Sequence, residues 1–274
     1  MTATNSTFKF RSYLRFHNTI GKVGAVVSFT ELAIRNLRNE YASAPKGREF
    51  LERVSRELGV YVTHVNLDLL QTRTSQLHTV SILQQFEEFL ADIQREHPAR
   101  STWTSKREDQ TMLDYVFGHV TGEHTGGDSR TKLEIDLLDH YRIARNRFLH
   151  ASDAKENKIR DLKERAREHP SFIKLDGPNT YNELIFDDCV ICARCSLLLA
   201  GKMCQMGRPT DEQIAQMLFN LEERKEISLN TLRAPANTER RFEIKCRNIL
   251  AATFGMDKRD CGDVVEYLKR GLLA

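Results

Sequence analysis

The chain has 274 residues, with 41 Lys+Arg against 38 Asp+Glu, a formal net charge of +3 and 40% hydrophobic residues. That length suits one large domain or two small ones, with enough apolar side chains for a proper core. A charged fraction of 29% with only 6 Pro and 14 Gly excludes a disordered, collagenous or low-complexity chain, and the near-neutral total excludes a globally basic nucleic-acid binder, so any phosphate-binding site has to be local.

Residues 22–42 are apolar at Val23, Val26, Val27, Leu32, Ala33 and Leu37, a helical pattern that Pro45 interrupts. Residues 47–72 resume it with Phe50, Leu51, Val54, Leu58, Val62, Val65, Leu69 and Leu70, which predicts a second helix. Within it, GVYVTHV has the β-branched residues of a short strand as an alternative. SILQQFEEFLADIQREH places Ile82, Leu83, Phe86, Phe89, Leu90 and Ile93 on one broad face and should stop before Pro98. A shorter helix is expected over 109–120, opened by Asp109, and the glycines of TGEHTGGDSR mark a turn.

A long helix is predicted from near Thr131 through LEIDLLDHYRIARNRFLHA, followed by a solvated, charged helix over 155–167 and a connecting loop, HPSFIKLDGPNTY, with room for a short extended piece. FDDCVICARCSLLLAGKM reads as the last strongly apolar helix, capped by Asp187 or Asp188 and stopped by Gly207 and Pro209. TDEQIAQMLFNLEERKEI, TERRFEIKCRNILAATF and GDVVEYLKRGL complete an all-α chain, with Thr210 and Thr238 as N-caps. Three segments are expected: an N-terminal helical region over 1–74, a helical bundle over 75–205 and a C-terminal helical region over 206–274.

No stretch approaches about 18 consecutive apolar residues, so no membrane span is expected, and MTATNSTFKFRSYLRFHNT lacks the basic–apolar–small order of a signal peptide. All six cysteines (Cys189, Cys192, Cys195, Cys204, Cys246, Cys261) lie in the last third. Reduced thiols in a cytoplasm are the expectation.

The helix ending at His150 carries the most informative residues. Leu133, Leu137, Tyr141, Ala144 and Phe148 form a core stripe. With Arg145 at zero, Arg142 falls near ~60°, Asn146 near ~100°, Asp139 near ~120° and His150 near ~140°. The sector thus holds two guanidiniums, an amide, a carboxylate and an imidazole. These groups suit cleavage of RNA by its own 2′-hydroxyl. His150 would take the hydroxyl proton. Arg145 would bind the phosphate and stabilise its developing charge. Asn146 would hydrogen-bond the phosphate or orient His150. Arg142 and Arg147 would widen the positive patch toward the RNA backbone, although both also fit as solvated helix charges, and Asp139 fits as an i, i+3 partner of Arg142. No metal or other cofactor is required to make a nucleophile.

RNRFLH, an Arg-Asn-x-x-x-His segment, resembles the signature of the HEPN superfamily, helical-bundle domains that include many metal-independent endoribonucleases. The resemblance covers roughly residues 75–205, with SILQQFEEFLADI similar to the first long helix of such a bundle and the Cys-rich helix to its last. It implies a homodimer whose two Arg-x(4–6)-His segments form one composite site, products with a 2′,3′-cyclic phosphate and a 5′-hydroxyl, and a toxin or phage-defence setting with an antitoxin or sensor partner. With 27 Arg and 9 His, a bare Arg-x4-His is expected about once by chance, and Arg73 to His78 is read as that chance match. Requiring Asn after Arg lowers the expectation to roughly 0.04. One departure is that Ala151-Ser152-Asp153 follow His150, where many catalytic members have an aromatic residue.

Other readings stay open beside this one: a non-catalytic module of the same kind binding RNA, nucleotide or a partner protein, and a DNA-binding regulator using helices 210–226 and 238–254. TLRAPANTE is not a helix-turn-helix turn, and docking or dimer support is the simpler role for these helices. The Cys189/Cys192/Cys195 run, with Cys204 nearby, superficially suggests a metal cluster, but it lies in a continuous helical pattern where Cys acts as a small hydrophobe. His119, His124 and His140 lack metal-ligand spacing. Trp103 is expected to cover the edge of a core rather than mark a partner-binding loop.

Overall fold

The computed structural model describes residues 7–60, 66–123, 128–150, 159–233 and 238–273. Among them it contains ten α-helices and no strand, so the protein is all-α as the sequence predicts. The helices are α1 (Arg11–Ser43), α2 (Gly47–Leu58), α3 (Leu67–Glu96), α4 (Met112–Thr121), α5 (Ser129–His150), α6 (Ile159–Glu168), α7 (Phe186–Met206), α8 (Asp211–Glu223), α9 (Glu239–Phe254) and α10 (Gly262–Leu273).

Most boundaries follow local chemistry. Thr210 and Thr238 are the N-caps of α8 and α9, and at α8 the reciprocal Gln213 side chain completes a capping box. Three departures are informative. α1 starts at Arg11, well before residue 22, because the Glu96 carboxylate accepts from the Arg11 and Ser12 amides at 2.8 Å each and satisfies donors that open a helix. α2 ends at Leu58 rather than running to 72, with Gly59 in the left-handed region at φ 67°. α3 is one helix of 30 residues where the apolar pattern predicts two pieces. Most of the candidate strand, residues 61–65, lies outside the described residues.

The chain divides into two compact units, residues 1–17, 87–127 and 198–274 in the first, and 18–86 and 128–197 in the second. Each draws on separate parts of the chain, so α1, α3 and α7 contribute residues to both.

In the first unit, Phe8, Phe10, Phe16, Phe89, Leu90 and Ile93 are buried together with Phe117, Leu218, Phe254 and Leu268. Phe8 packs edge-on to Phe10 at 4.9 Å, and the Lys9 amide donates to the Phe254 carbonyl at 2.7 Å, holding the N-terminal strip against α9. Gly207, after α7, approaches α4 so closely that a Cβ would sit 2.3 Å from Val120.

In the second unit the core is Ile20, Val27, Ile34, Ile82, Leu83, Phe86, Leu133, Leu137, Tyr141, Leu162, Phe172, Ile191, Cys192 and Cys195. α6 lays Leu162 and Ala166 against α5, with Arg165 held by Asp136 of α5 at 3.0 Å. α7 is the one described helix long and apolar enough to cross a membrane by length and composition, and half of its most apolar stretch is buried in this fold. Ile191, Cys192, Cys195, Leu199 and Met203 are fully buried along it, so it is packed as a core helix.

Candidate functional site

α5 begins where the Asp128 carboxylate accepts from the Arg130 and Thr131 amides at 2.9 and 3.0 Å, an N-cap arrangement. Leu133, Leu137, Tyr141 and Ala144 are buried, as the stripe predicts, while Phe148 is half-buried at the far end. The helix is pinned at its middle by a polar contact. The Tyr141 hydroxyl donates to Asp188 Oδ1 of α7 at 3.0 Å. The same carboxylate accepts from the Asn179 amide, the Asn179 side chain and the Ile185 amide, each at 2.9 Å.

Asp188 is fully buried, which pushes its pKa up, while these four donors pull it back down. Burial and the neighbouring carboxylate push the Tyr141 phenol well above its usual value. His140 adds a contact to the same loop, Nε2 to the Asn179 carbonyl at 2.9 Å.

Downstream of this anchor the candidate residues separate into distinct settings. Arg145, half-buried, donates Nε and Nη2 to Asn146 Oδ1 at 3.2 and 3.1 Å. Its charge also reaches the buried Cys192 thiol of α7, opposing the upward push of burial there. Arg142 donates to Asp139 at 2.9 and 2.6 Å, the i, i+3 pair read from the sequence. The Arg147 guanidinium lies 5.4 Å from the centre of the Tyr181 ring. His150 is the last residue of α5; its side chain, and residues 151–158, lie outside the described residues. Helix geometry places the Arg145 and His150 positions about 140° and roughly 7.5 Å apart.

The structure thus brings Arg145 to Asn146, and Arg142 to Asp139, while Arg147 faces an aromatic ring on the 3₁₀ turn Tyr181–Glu183.

Three residues beside this region were not singled out as functional by the sequence. Arg73 of α3 places its guanidinium 5.6 Å from the Phe148 ring centre. Its Nη1 donates to Gln76 Oε1 at 3.0 Å, and Gln76 Nε2 donates to the Tyr181 carbonyl at 2.6 Å. Arg73 also opens the second Arg-x4-His, Arg73 to His78, the match that the composition gives by chance. His78 itself is half-buried, with burial lowering its pKa and the Glu31 carboxylate raising it.

The remaining candidates have structural settings. Cys189, Cys192, Cys195 and Cys204 are buried on α7, and Cys189 contacts Thr79 and the Ser75 carbonyl. His119 uses Nδ1 with the Tyr115 carbonyl at 2.8 Å and Nε2 with the Thr104 amide at 3.2 Å. Trp103 stacks on His119 and meets Tyr115 edge-on, at the rim of the first unit's core. His124 lies outside the described residues. α10 packs on both α8 and α9. Comparison of the chain with protein-family models, with curated proteins and with solved structures finds no match to any of them.

Proposed function

We propose that this protein is a metal-independent endoribonuclease of the HEPN type, acting as a homodimer through Arg145, Asn146 and His150. The observation that carries the reading is the Arg145–Asn146 contact within an Arg-Asn-x-x-x-His segment: a guanidinium oriented by its neighbour, five residues before an imidazole on one helix. The His150 imidazole takes the 2′-hydroxyl proton, the 2′-oxygen bonds to phosphorus, and the bond from phosphorus to the 5′-oxygen breaks. One proton leaves the 2′-oxygen and one is returned to the 5′-oxygen, so the products are a 2′,3′-cyclic phosphate and a 5′-hydroxyl with no water consumed. Arg145 stabilises the charge on the phosphate oxygens. The helical separation of Arg145 from His150 within one chain suits a composite site completed by a second copy.

The biological setting follows from the resemblance alone: a cytoplasmic toxin or phage-defence effector restrained by an antitoxin or sensor. The Ala151-Ser152-Asp153 that follows His150 favours a second reading, a non-catalytic module binding RNA, nucleotide or a partner protein. Incubation of the purified protein with RNA in EDTA separates the two. Cleavage that persists in EDTA and disappears in Arg145→Ala and His150→Ala supports the enzyme, and intact RNA at micromolar dimer supports the module.

A further inference from the structure

Two cation–aromatic pairs meet at the end of α5, one residue apart. Arg147 lies over Tyr181, and the next residue, Phe148, carries Arg73 of α3. Gln76 joins them. It is 2% exposed, its amide oxygen accepts from Arg73, and its amide nitrogen donates to the Tyr181 carbonyl. A buried side chain amide is costly unless both ends are satisfied, and here both are spent on orienting one exposed guanidinium and fixing one aromatic residue.

Arg73 also differs from the ion-paired arginines of its unit. Arg35, Arg38, Arg142 and Arg165 each hold a carboxylate, whereas Arg73, which is exposed, has no carboxylate partner among the described residues. It is a cation held in place by an aromatic ring and an amide, with its charge left to the solvent side. Such a group loses little side-chain freedom on binding an anion. Positive charge interleaved with aromatic rings is the arrangement that retains single-stranded nucleic acid.

We propose that Arg73, Gln76, Tyr181 and Arg147 form a platform that holds the sugar-phosphate backbone of single-stranded RNA beside the cleaved bond, with Gln76 as its positioning residue. The proposal rests on the endoribonuclease reading for the identity of the strand. It assigns the strand's grip to residues other than Arg145 and His150, so that binding and cleavage are separable.

The test is binding of a fluorescent 2′-O-methyl single-stranded RNA, which cannot be cut through its 2′-oxygen, to the full chain at several salt concentrations. Arg73→Ala and Arg147→Ala are expected to weaken binding about tenfold each and to reduce the salt slope by about 0.7, one phosphate contact per cation on a single strand. Arg73→Lys keeps the slope because it keeps the charge. Arg160→Ala, which removes an exposed α6 cation paired with Glu164, changes neither quantity. Unchanged affinity and slope in Arg73→Ala overturns the proposal, as does equal affinity for duplex RNA or failure of the wild-type chain to bind. Cleavage of unmodified RNA is read in parallel. Arg73-dependent binding without cleavage keeps the platform and removes the nuclease reading; cleavage with Arg73-independent binding does the reverse.

Discussion

The guanidinium of Arg145 is held by the side-chain oxygen of the residue that follows it, Asn146, through Nε at 3.2 Å and Nη2 at 3.1 Å. The contact makes a long, flexible cation into a directed one, and it gives Asn146 a role in positioning Arg145 that the sequence alone had assigned to the phosphate or to His150. Removing it should leave Arg145 charged but unaimed. Asn146→Ala is therefore expected to slow single-turnover RNA cleavage by roughly 10- to 100-fold. Asn146→Asp should slow it further, because a carboxylate pairs with the guanidinium and repels the phosphate. Equal rates for wild type and both variants would remove Asn146 from the site.

The hydroxyl of Tyr141 and the carboxylate of Asp188 anchor α5 to α7 inside the second unit. Tyr141→Phe loses one hydrogen bond to a buried carboxylate and should cost about 1–2 kcal/mol in urea unfolding. Asp188→Ala strands the Tyr141 hydroxyl and the Asn179 and Ile185 amides, and should cost roughly 3 kcal/mol or more. A smaller loss in Asp188→Ala than in Tyr141→Phe would contradict this ordering.

The His169 imidazole is held below its usual pKa by burial and then by the nearby Arg130 guanidinium, with Glu134 Oε1 3.4 Å from Nε2. The Ser171 amide donates to Nδ1 at 3.2 Å, so the ring proton sits on Nε2, toward Glu134. With the folded pKa below the unfolded one, protons favour the unfolded chain. The contribution is complete above the unfolded value of about 6.5 and is lost as pH falls through the folded value. Between about pH 7 and pH 5 the stability of the wild type should therefore fall more steeply than that of His169→Gln. Parallel curves of urea midpoint against pH would show that His169 is not responsible.

Burial pushes the Cys189 thiol up to about 12 and holds Cys192 and Cys195 well above the ordinary range. These thiols should react with a disulfide reagent only after unfolding, since the thiolate is the reactive form. EDTA should leave the melting temperature unchanged. Rapid labelling of the native chain on α7, or a fall in melting temperature with chelator, would instead indicate an accessible or metal-holding cluster.

The all-α class was legible because most helices carry their own apolar stripe and their own caps, as at Thr210 and Thr238. α3 was misread as two pieces for a physical reason. Between Leu70 and Ile82 it buries Ser75, Gln76 and Thr79, polar side chains that a hydrophobic period passes over. The start of α1 was hidden because its cap, Glu96, lies 84 residues beyond Ser12. The Arg145, Asn146 and His150 pattern was legible as chemistry on one helix. Arg73, Gln76 and Tyr181 were not, because only tertiary packing brings two separate segments, α3 and the Tyr181–Glu183 turn, to the Arg147–Phe148 end of α5.

The most direct measurement is cleavage, in EDTA, of a single-stranded RNA compared with the same strand carrying one 2′-deoxy residue at the cut position. The account predicts 2′,3′-cyclic phosphate ends from the first, none at that position from the second, and a loss of about a thousandfold or more in Arg145→Ala and His150→Ala. Cleavage at the 2′-deoxy position, or cleavage undiminished in His150→Ala, would contradict it.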